Sequence, residues 1–339
     1  MTRSAPIAIS VLLFPLLIAG CNELFSNVSF TPPPKQMNII YDDDCDEDID
    51  CAITQPIIHH WIDIGYIKIL GMVSSGPSNL GAPTMNVFRH YYGHDQLFSI
   101  GAWTPNCSYS QSAAWNIAVV SRFDPGDVCA NYANCGTVLR QSVANYIAGG
   151  GSANGITYVI TGPLSCEETF RAMPADAISS LSGVQMEQQY IKEFVLMNSY
   201  APSGLEFNCE ENTSACNAFF SNVTSGNGYP PVYVVPLGTG ATYVVTKVPA
   251  VSLPQTNPTA YAFVSSGRTE APDEDSLAVE FAVYGGTGWK LTANSTDTVN
   301  LATGGNSWSS ATPSGQYYLT TTINPAIFEG ILYSPWLPQ

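Results

Sequence analysis

Seven carboxylates fall within nine residues, Asp42-Asp43-Asp44-Cys45-Asp46-Glu47-Asp48-Ile49-Asp50, directly after the apolar stretch Met37-Asn38-Ile39-Ile40-Tyr41. Only 11% of the chain is charged, so this run is concentrated. Like charges this close repel by about 1 kcal/mol per adjacent pair even in water. A hard cation relieves that repulsion, because Ca2+ gathers oxygen ligands from carboxylates, carbonyls and water. The plain alternative is a solvated acidic loop. Its position after a buried-type strand favours a site, since α/β sheets bind their ligands beyond the carboxyl ends of their strands.

The rest of the chain supports that architecture. Apolar, β-branched stretches recur at Ile67–Val73, 97–100, Ile156–Ile160, 190–197 and 232–236, with helical patterns between them at Cys51–Ile64 and Ala82–Tyr92. Strands of this kind alternating with helices predict an α/β fold, with a mostly parallel central sheet flanked by helices on both faces and a Rossmann-like core. Beyond about Gly285 the sequence turns Thr/Ser/Asn/Gly-rich, and 316–322 reads as an added edge strand, the mark of a small C-terminal β extension. Residues 1–20 read as a signal peptide, 21–36 (with Pro32-Pro33-Pro34) as a linker, and 37–339 as a single domain.

Export agrees with the cysteines. Leu17-Ile18-Ala19-Gly20-Cys21 resembles a lipobox, which would tether the chain through Cys21, whereas sequons at Asn27, Asn106, Asn212, Asn222 and Asn294 favour a glycosylated, freely secreted product. Setting Cys21 aside leaves eight cysteines, an even number that predicts disulfides, with Cys129/Cys135 and Cys209/Cys216 as the close pairs expected to staple loops. The four histidines, His59, His60, His90 and His94, have no ligand spacing. A net charge of −16 argues against nucleic-acid binding, which needs basic surfaces. An EF-hand fails because the sixth and twelfth positions from Asp42 are Glu47 and Ile53. Trp103, Trp115, Trp289 and Tyr261 suit a core or a base pocket.

Several blocks, in order, resemble the inosine/uridine-preferring nucleoside hydrolase family. They are Ile39-Ile40-Tyr41-Asp42-Asp43-Asp44 with Asp50-Cys51-Ala52, then Leu70-Gly71-Met72-Val73-Ser74-Ser75-Gly76 and Arg89-His90-Tyr91-Tyr92-Gly93. After these come Ile160-Thr161-Gly162-Pro163-Leu164-Ser165, Phe194-Val195-Leu196-Met197, Glu206-Phe207-Asn208, Val235-Pro236-Leu237 and Asp275-Ser276-Leu277-Ala278. The resemblance implies Ca2+-dependent hydrolysis of the N-glycosidic bond of a small-molecule ribonucleoside. It implies Asp44, Asp275 and the carbonyl of Ser165 or its neighbour as metal ligands, and Asp50 as general base. Glu206 and Asn208 would bind the sugar, with Asn79 and Met197 lining the substrate site. Such residue types suit a reaction with an oxocarbenium-like transition state.

The departures are specific. Cys51 stands where the family has a second Asp that ligates the metal, so either Asp48 or Asp46 substitutes, or Cys51 bonds Cys45 or another cysteine and the metal site is altered. Asn198-Ser199 replaces a Gly-Gly, and Gly76-Pro77 replaces a Gly-Asn. Glu274 stands where many members carry the His that protonates the leaving base; a buried carboxyl of raised pKa would serve there. Two expectations follow, a secreted Ca2+-dependent hydrolase or a catalytically impaired binding protein of the same fold. A homo-oligomer and an N-terminal membrane tether are compatible with both.

Overall fold

The structure, a computed structural model, describes residues 31–45, 48–76, 78–103, 107–108, 112–237, 245–247, 253–272 and 274–322. The expected signal peptide, Cys21, most of the linker, Asp46, and the sequons at Asn27 and Asn106 lie outside these residues.

The strands in chain order are β1 (Met37–Asp43), β2 (Ile67–Ser74), β3 (Ser99–Ala102), β4 (Ala133–Asn134), β5 (Ile156–Ile160), β6 (Ile191–Tyr200), β7 (Ser203–Gly204), β8 (Val232–Leu237), β9 (Val245–Lys247), β10 (Glu270–Pro272), β11 (Trp289–Leu291), β12 (Thr296–Val299), β13 (Asn306–Ser309) and β14 (Gln316–Thr321). Nine of them form one sheet in the order β11-β14-β8-β6-β5-β1-β2-β3-β4. Every pairing in it is parallel except β11 with β14. The 316–321 strand is therefore not the edge expected of it: it is parallel to β8, and β11 adds the edge by folding back on it. The strand expected at 97–100 starts only at Ser99, because Leu97 closes a turn onto the carbonyl of His94. A small antiparallel sheet, β12-β13-β7, completes the C-terminal part.

Central strands are buried on both faces, which is why β5 carries no polar alternation: Ile156, Tyr158, Val159 and Ile160 are all inaccessible. Behind them Phe194 packs against Tyr158 and Phe219 with ring centroids 5.7 and 5.4 Å apart, each buried Phe contributing roughly 1.5–3 kcal/mol. The chain leaves β1 for β2, β3 and β4 on one side, then returns to build β5, β6 and β8 on the other. The strand order thus reverses at β1/β5, and the crevice beyond their carboxyl ends is where such sheets hold ligands.

The helix Cys51–Asp63 follows β1 and contains Pro56, which cannot donate to the carbonyl of Ala52. The hydroxyl of Thr259 donates to that carbonyl instead, at 2.9 Å, and locks the helix Pro258–Ser266 against it. Four disulfides join Cys45–Cys51, Cys107–Cys129, Cys135–Cys166 and Cys209–Cys216. The Cys209/Cys216 expectation holds; Cys129/Cys135 does not. Cys135 opens the helix Cys135–Ala148, which lies so close to the helix Ser165–Arg171 that a Cβ on Gly136 would meet Thr169 at 2.7 Å. Cys166 is then the nearer partner. Among the described residues, no helix is long and apolar enough to cross a membrane.

Candidate functional site

The acidic run turns out of β1 into a narrow backbone cradle. Thr161 N–H donates to the carbonyl of Asp42 at 2.7 Å, Ser75 N–H to that of Asp43 at 3.0 Å, and the Ser74 hydroxyl to that of Asp44 at 3.2 Å. The backbones are so near that a Cβ on Gly162 would lie 2.6 Å from Asp44 N, and one on Gly76 2.3 Å from Asp44 Cβ. Only glycine permits this approach. The Thr161-Gly162-Pro163-Leu164 turn is therefore a support for the acidic loop.

Within the cradle, carboxylate oxygens of Asp43, Asp44 and Asp275 lie within 4.8 Å of one another. Asp275 arrives from the first turn of the helix Glu274–Tyr284. Its Oδ2 is buried and has no hydrogen-bond partner, an expensive condition for a carboxylate. Asp43 accepts from the Tyr41 hydroxyl (2.9 Å) and from Cys45 N–H (3.0 Å). Burial pushes Asp43 above the usual carboxylate range. Burial raises Asp275 well above it too, reinforced by Asp50 and Asp43. Three crowded oxygen donors with an orphan oxygen fit a hard cation, whose charge would reverse that penalty. Cys45 and Cys51 also lie near Asp43, but they are bonded to each other and offer no thiolate.

Asp50 caps the helix Cys51–Asp63, accepting from Cys51 N–H at 3.0 Å. Burial raises its carboxyl strongly, followed by the charges of Asp48, Glu274 and Asp43, so the fold brings Asp50 and Glu274 within electrostatic reach. Asp48 points outward to an ion pair with Arg268 at 3.6 Å and is not part of the close carboxylate group; Asp43 is there instead. The sequence reading missed Asp43. The available signal was strand alternation, which puts Asp43 on the same face as the buried Tyr41.

Glu206 and Asn208 do come to the crevice, but from a helix start and not from the strand-like stretch that their spacing suggests. Glu206 caps the helix Phe207–Glu211, accepting from Asn208 N–H (2.8 Å), Ser199 N–H (3.0 Å) and Cys209 N–H (3.1 Å). Burial pushes its carboxyl up to about 7, and those amides pull it down. Asn208 Nδ2 donates to the carbonyls of Thr161 (3.2 Å) and Met197 (3.3 Å), bridging the ends of β5 and β6, while its buried Oδ1 has no partner. Met197 is buried at the end of β6. Asn79 accepts from the Ser112 hydroxyl at 2.6 Å. Ser165 is the first residue of its helix; its carbonyl accepts from the Thr169 hydroxyl and the carbonyl of Leu164 from Glu168 N–H, so both are engaged inside the helix. Ser199, where the resembling family has glycine, holds φ at 62°, a conformation glycine adopts without strain.

No protein-family model matches the sequence, and no curated protein matches it. Solved structures do match its fold. The inosine-uridine preferring nucleoside hydrolase of Bacillus anthracis superposes with a TM-score of 0.62 at 10% identity, covering 88% of this chain and 100% of its own. The purine-preferring ribonucleoside hydrolase of Gardnerella vaginalis gives 0.60 at 14% identity, covering 87% and 96%. The type III effector XopQ, solved with adenosine diphosphate ribose, gives 0.63 at 12% identity over 95% and 98%. The chain has the nucleoside hydrolase fold, as the resemblance implied.

Proposed function

We propose that this protein hydrolyses the N-glycosidic bond of ribonucleosides with the help of a bound Ca2+. The observation that carries the reading is the convergence of the Asp43, Asp44 and Asp275 carboxylates, one of which has an oxygen without a partner, at the switch point of a nucleoside hydrolase-like sheet. These three carboxylates would hold the metal, which would lower the pKa of a bound water and grip a ribose diol. Asp50, one residue from the helix that packs against Asp275's own helix, would act as the base toward a water held there. Glu274 stands beside it as the acid for the departing base. Asn208 offers its unpartnered Oδ1 to a sugar hydroxyl. Glu206, with three amides on its two oxygens, keeps one acceptor position for the sugar and holds the 199–209 segment in shape. Met197 and Asn79 complete the wall, and the carbonyl of Ser165 or its neighbour is a further proposed ligand.

A second reading, a binding protein that has lost turnover, is favoured by one observation: the position expected to hold a further metal carboxylate is Cys51, locked to Cys45. The disulfides suit an exported protein, and we extend this to secretion with a signal peptide, glycosylation, and either a tether through Cys21 or free release. The test is release of free base and ribose from a panel of ribonucleosides by the purified mature chain, with and without Ca2+. Calcium-dependent release supports the hydrolase. No release from any nucleoside at high enzyme and saturating Ca2+ would leave the binding protein.

A further inference from the structure

Three backbone amides that hold the site's carboxylates belong to half-cystines. Cys45 N–H donates to Asp43 Oδ1 at 3.0 Å, Cys51 N–H to Asp50 Oδ1 at 3.0 Å, and Cys209 N–H to Glu206 Oε2 at 3.1 Å. All three residues are fully buried. Each cystine also spans a stretch that the site requires to be shaped. Cys45–Cys51 closes a loop that begins just after Asp44 and contains Asp50, and Cys209–Cys216 ties the helix capped by Glu206 to the helix Thr213–Asn222. Cys45 itself has φ 50°, a left-handed conformation that an ordinary side chain adopts only when its surroundings impose it. Its carbonyl accepts from Asn116 Nδ2 at 2.7 Å, which anchors the same turn from the other side.

We infer that the Cys45–Cys51 and Cys209–Cys216 disulfides are positioning elements of the site: they fix the amides that orient Asp43, Asp50 and Glu206. The acidic loop has a physical need for such a clamp. Its carboxylates repel one another, and a loop free to open would let them separate toward water. The seven residues 45–51, closed into a ring by the disulfide, cannot spread in this way, so Asp50 is kept close to the turn that follows Asp43 and Asp44 whether or not a cation is present. The clamp stands where a further carboxylate on the metal would otherwise tie residue 51 to the site. The Cys107–Cys129 disulfide joins a different region, and among the described residues neither of its cysteines donates to a site carboxylate, so it serves as an internal control.

The inference rests on the hydrolase reading for its kinetic readout, so a second readout is independent of activity. The variants are C45S/C51S, C209S/C216S and the control C107S/C129S, each compared with the unmodified chain at a temperature where all remain folded by circular dichroism. We expect C45S/C51S to lose kcat by about 100-fold, as displacement of a reacting group by an ångström does, and C209S/C216S, whose clamp acts on the sugar-holding Glu206, to raise KM. KM should change far less in C45S/C51S, and the control should keep both constants while losing melting temperature. Amide hydrogen exchange should quicken at residues 45 and 51 in C45S/C51S and at 209 in C209S/C216S, but at none of these in the control. Unaltered exchange at those amides would overturn the inference whatever the activity. Equal loss of kcat in the control would overturn it too, since a general loss of stability would then explain the effect. If the unmodified chain hydrolyses nothing, the hydrolase reading fails, and the exchange data alone decide the inference.

Discussion

The hydroxyls of Thr54 and Ser276 lie 2.9 Å apart in the interior, 222 residues apart in sequence. Thr54 donates its own proton to the carbonyl of Asp50 at 3.0 Å, so Ser276 is the donor between the two hydroxyls. One helix is capped by Asp50 and the other begins at Glu274 and Asp275, so this pair sets the distance between the proposed base and a proposed metal ligand. Ser276→Ala should cost about 1 kcal/mol of stability by urea denaturation. It should also weaken Ca2+ binding measured by calorimetry, whereas unchanged affinity would detach the pair from the site.

Asp50→Asn keeps an oxygen to cap the helix and removes the basic carboxylate. Hydrolysis should fall by about 100-fold or more with an unchanged melting temperature. An Asp50→Asn protein with full turnover would sink the assigned base.

Chelation should lower the melting temperature, because a cation bound only to the native state adds about 2.7 kcal/mol at a concentration 100 times its Kd. Asp275→Asn should abolish that response, because it removes the carboxylate whose Oδ2 has no internal partner. Differential scanning calorimetry with EDTA and then with excess Ca2+ reads both effects. A melting curve that ignores complete chelation would count against the metal.

Asp297 gives a pH dependence away from the metal. Its carboxylate accepts from Asn306 Nδ2 at 2.8 and 2.9 Å, and burial raises it to about 6. In the unfolded chain it titrates near ~4, so the fold prefers the protonated form. The stability from this group is full below ~4 and is lost as pH rises through about 6, a difference of at most about 3 kcal/mol. Asp297→Asn should flatten this part of the profile in urea titrations from acid to neutral pH. A profile identical to that of the unmodified chain would remove Asp297 from the account.

Thr259→Val removes the donor that replaces the missing N–H of Pro56 and leaves the carbonyl of Ala52 buried without it. About 1–3 kcal/mol should be lost. Restoring the helical donor with Pro56→Ala in the same chain should recover part of it, and a double variant no more stable than Thr259→Val would show that the hydroxyl acts elsewhere.

Much of this molecule was legible in the sequence because the signals are local. The apolar runs 37–41 and 156–160 read as central strands, and the acidic run after the first of them pointed to the candidate site. The order of the blocks from Asp42 to Asp275 fixed the fold class. What tertiary structure alone decided was which groups meet. Asp43 replaces Asp48 in the carboxylate cluster because the turn after β1 packs under Gly162 and Gly76, and no local pattern records that approach. Glu206 and Asn208 share the crevice through a helix cap, although their spacing read as a strand. Cys135 bonds Cys166 and not Cys129 because two helices press together at Gly136. Pairings such as Asp44 with Asp275 depend on how a long chain closes around one sheet, and that geometry is set by packing between elements distant in sequence.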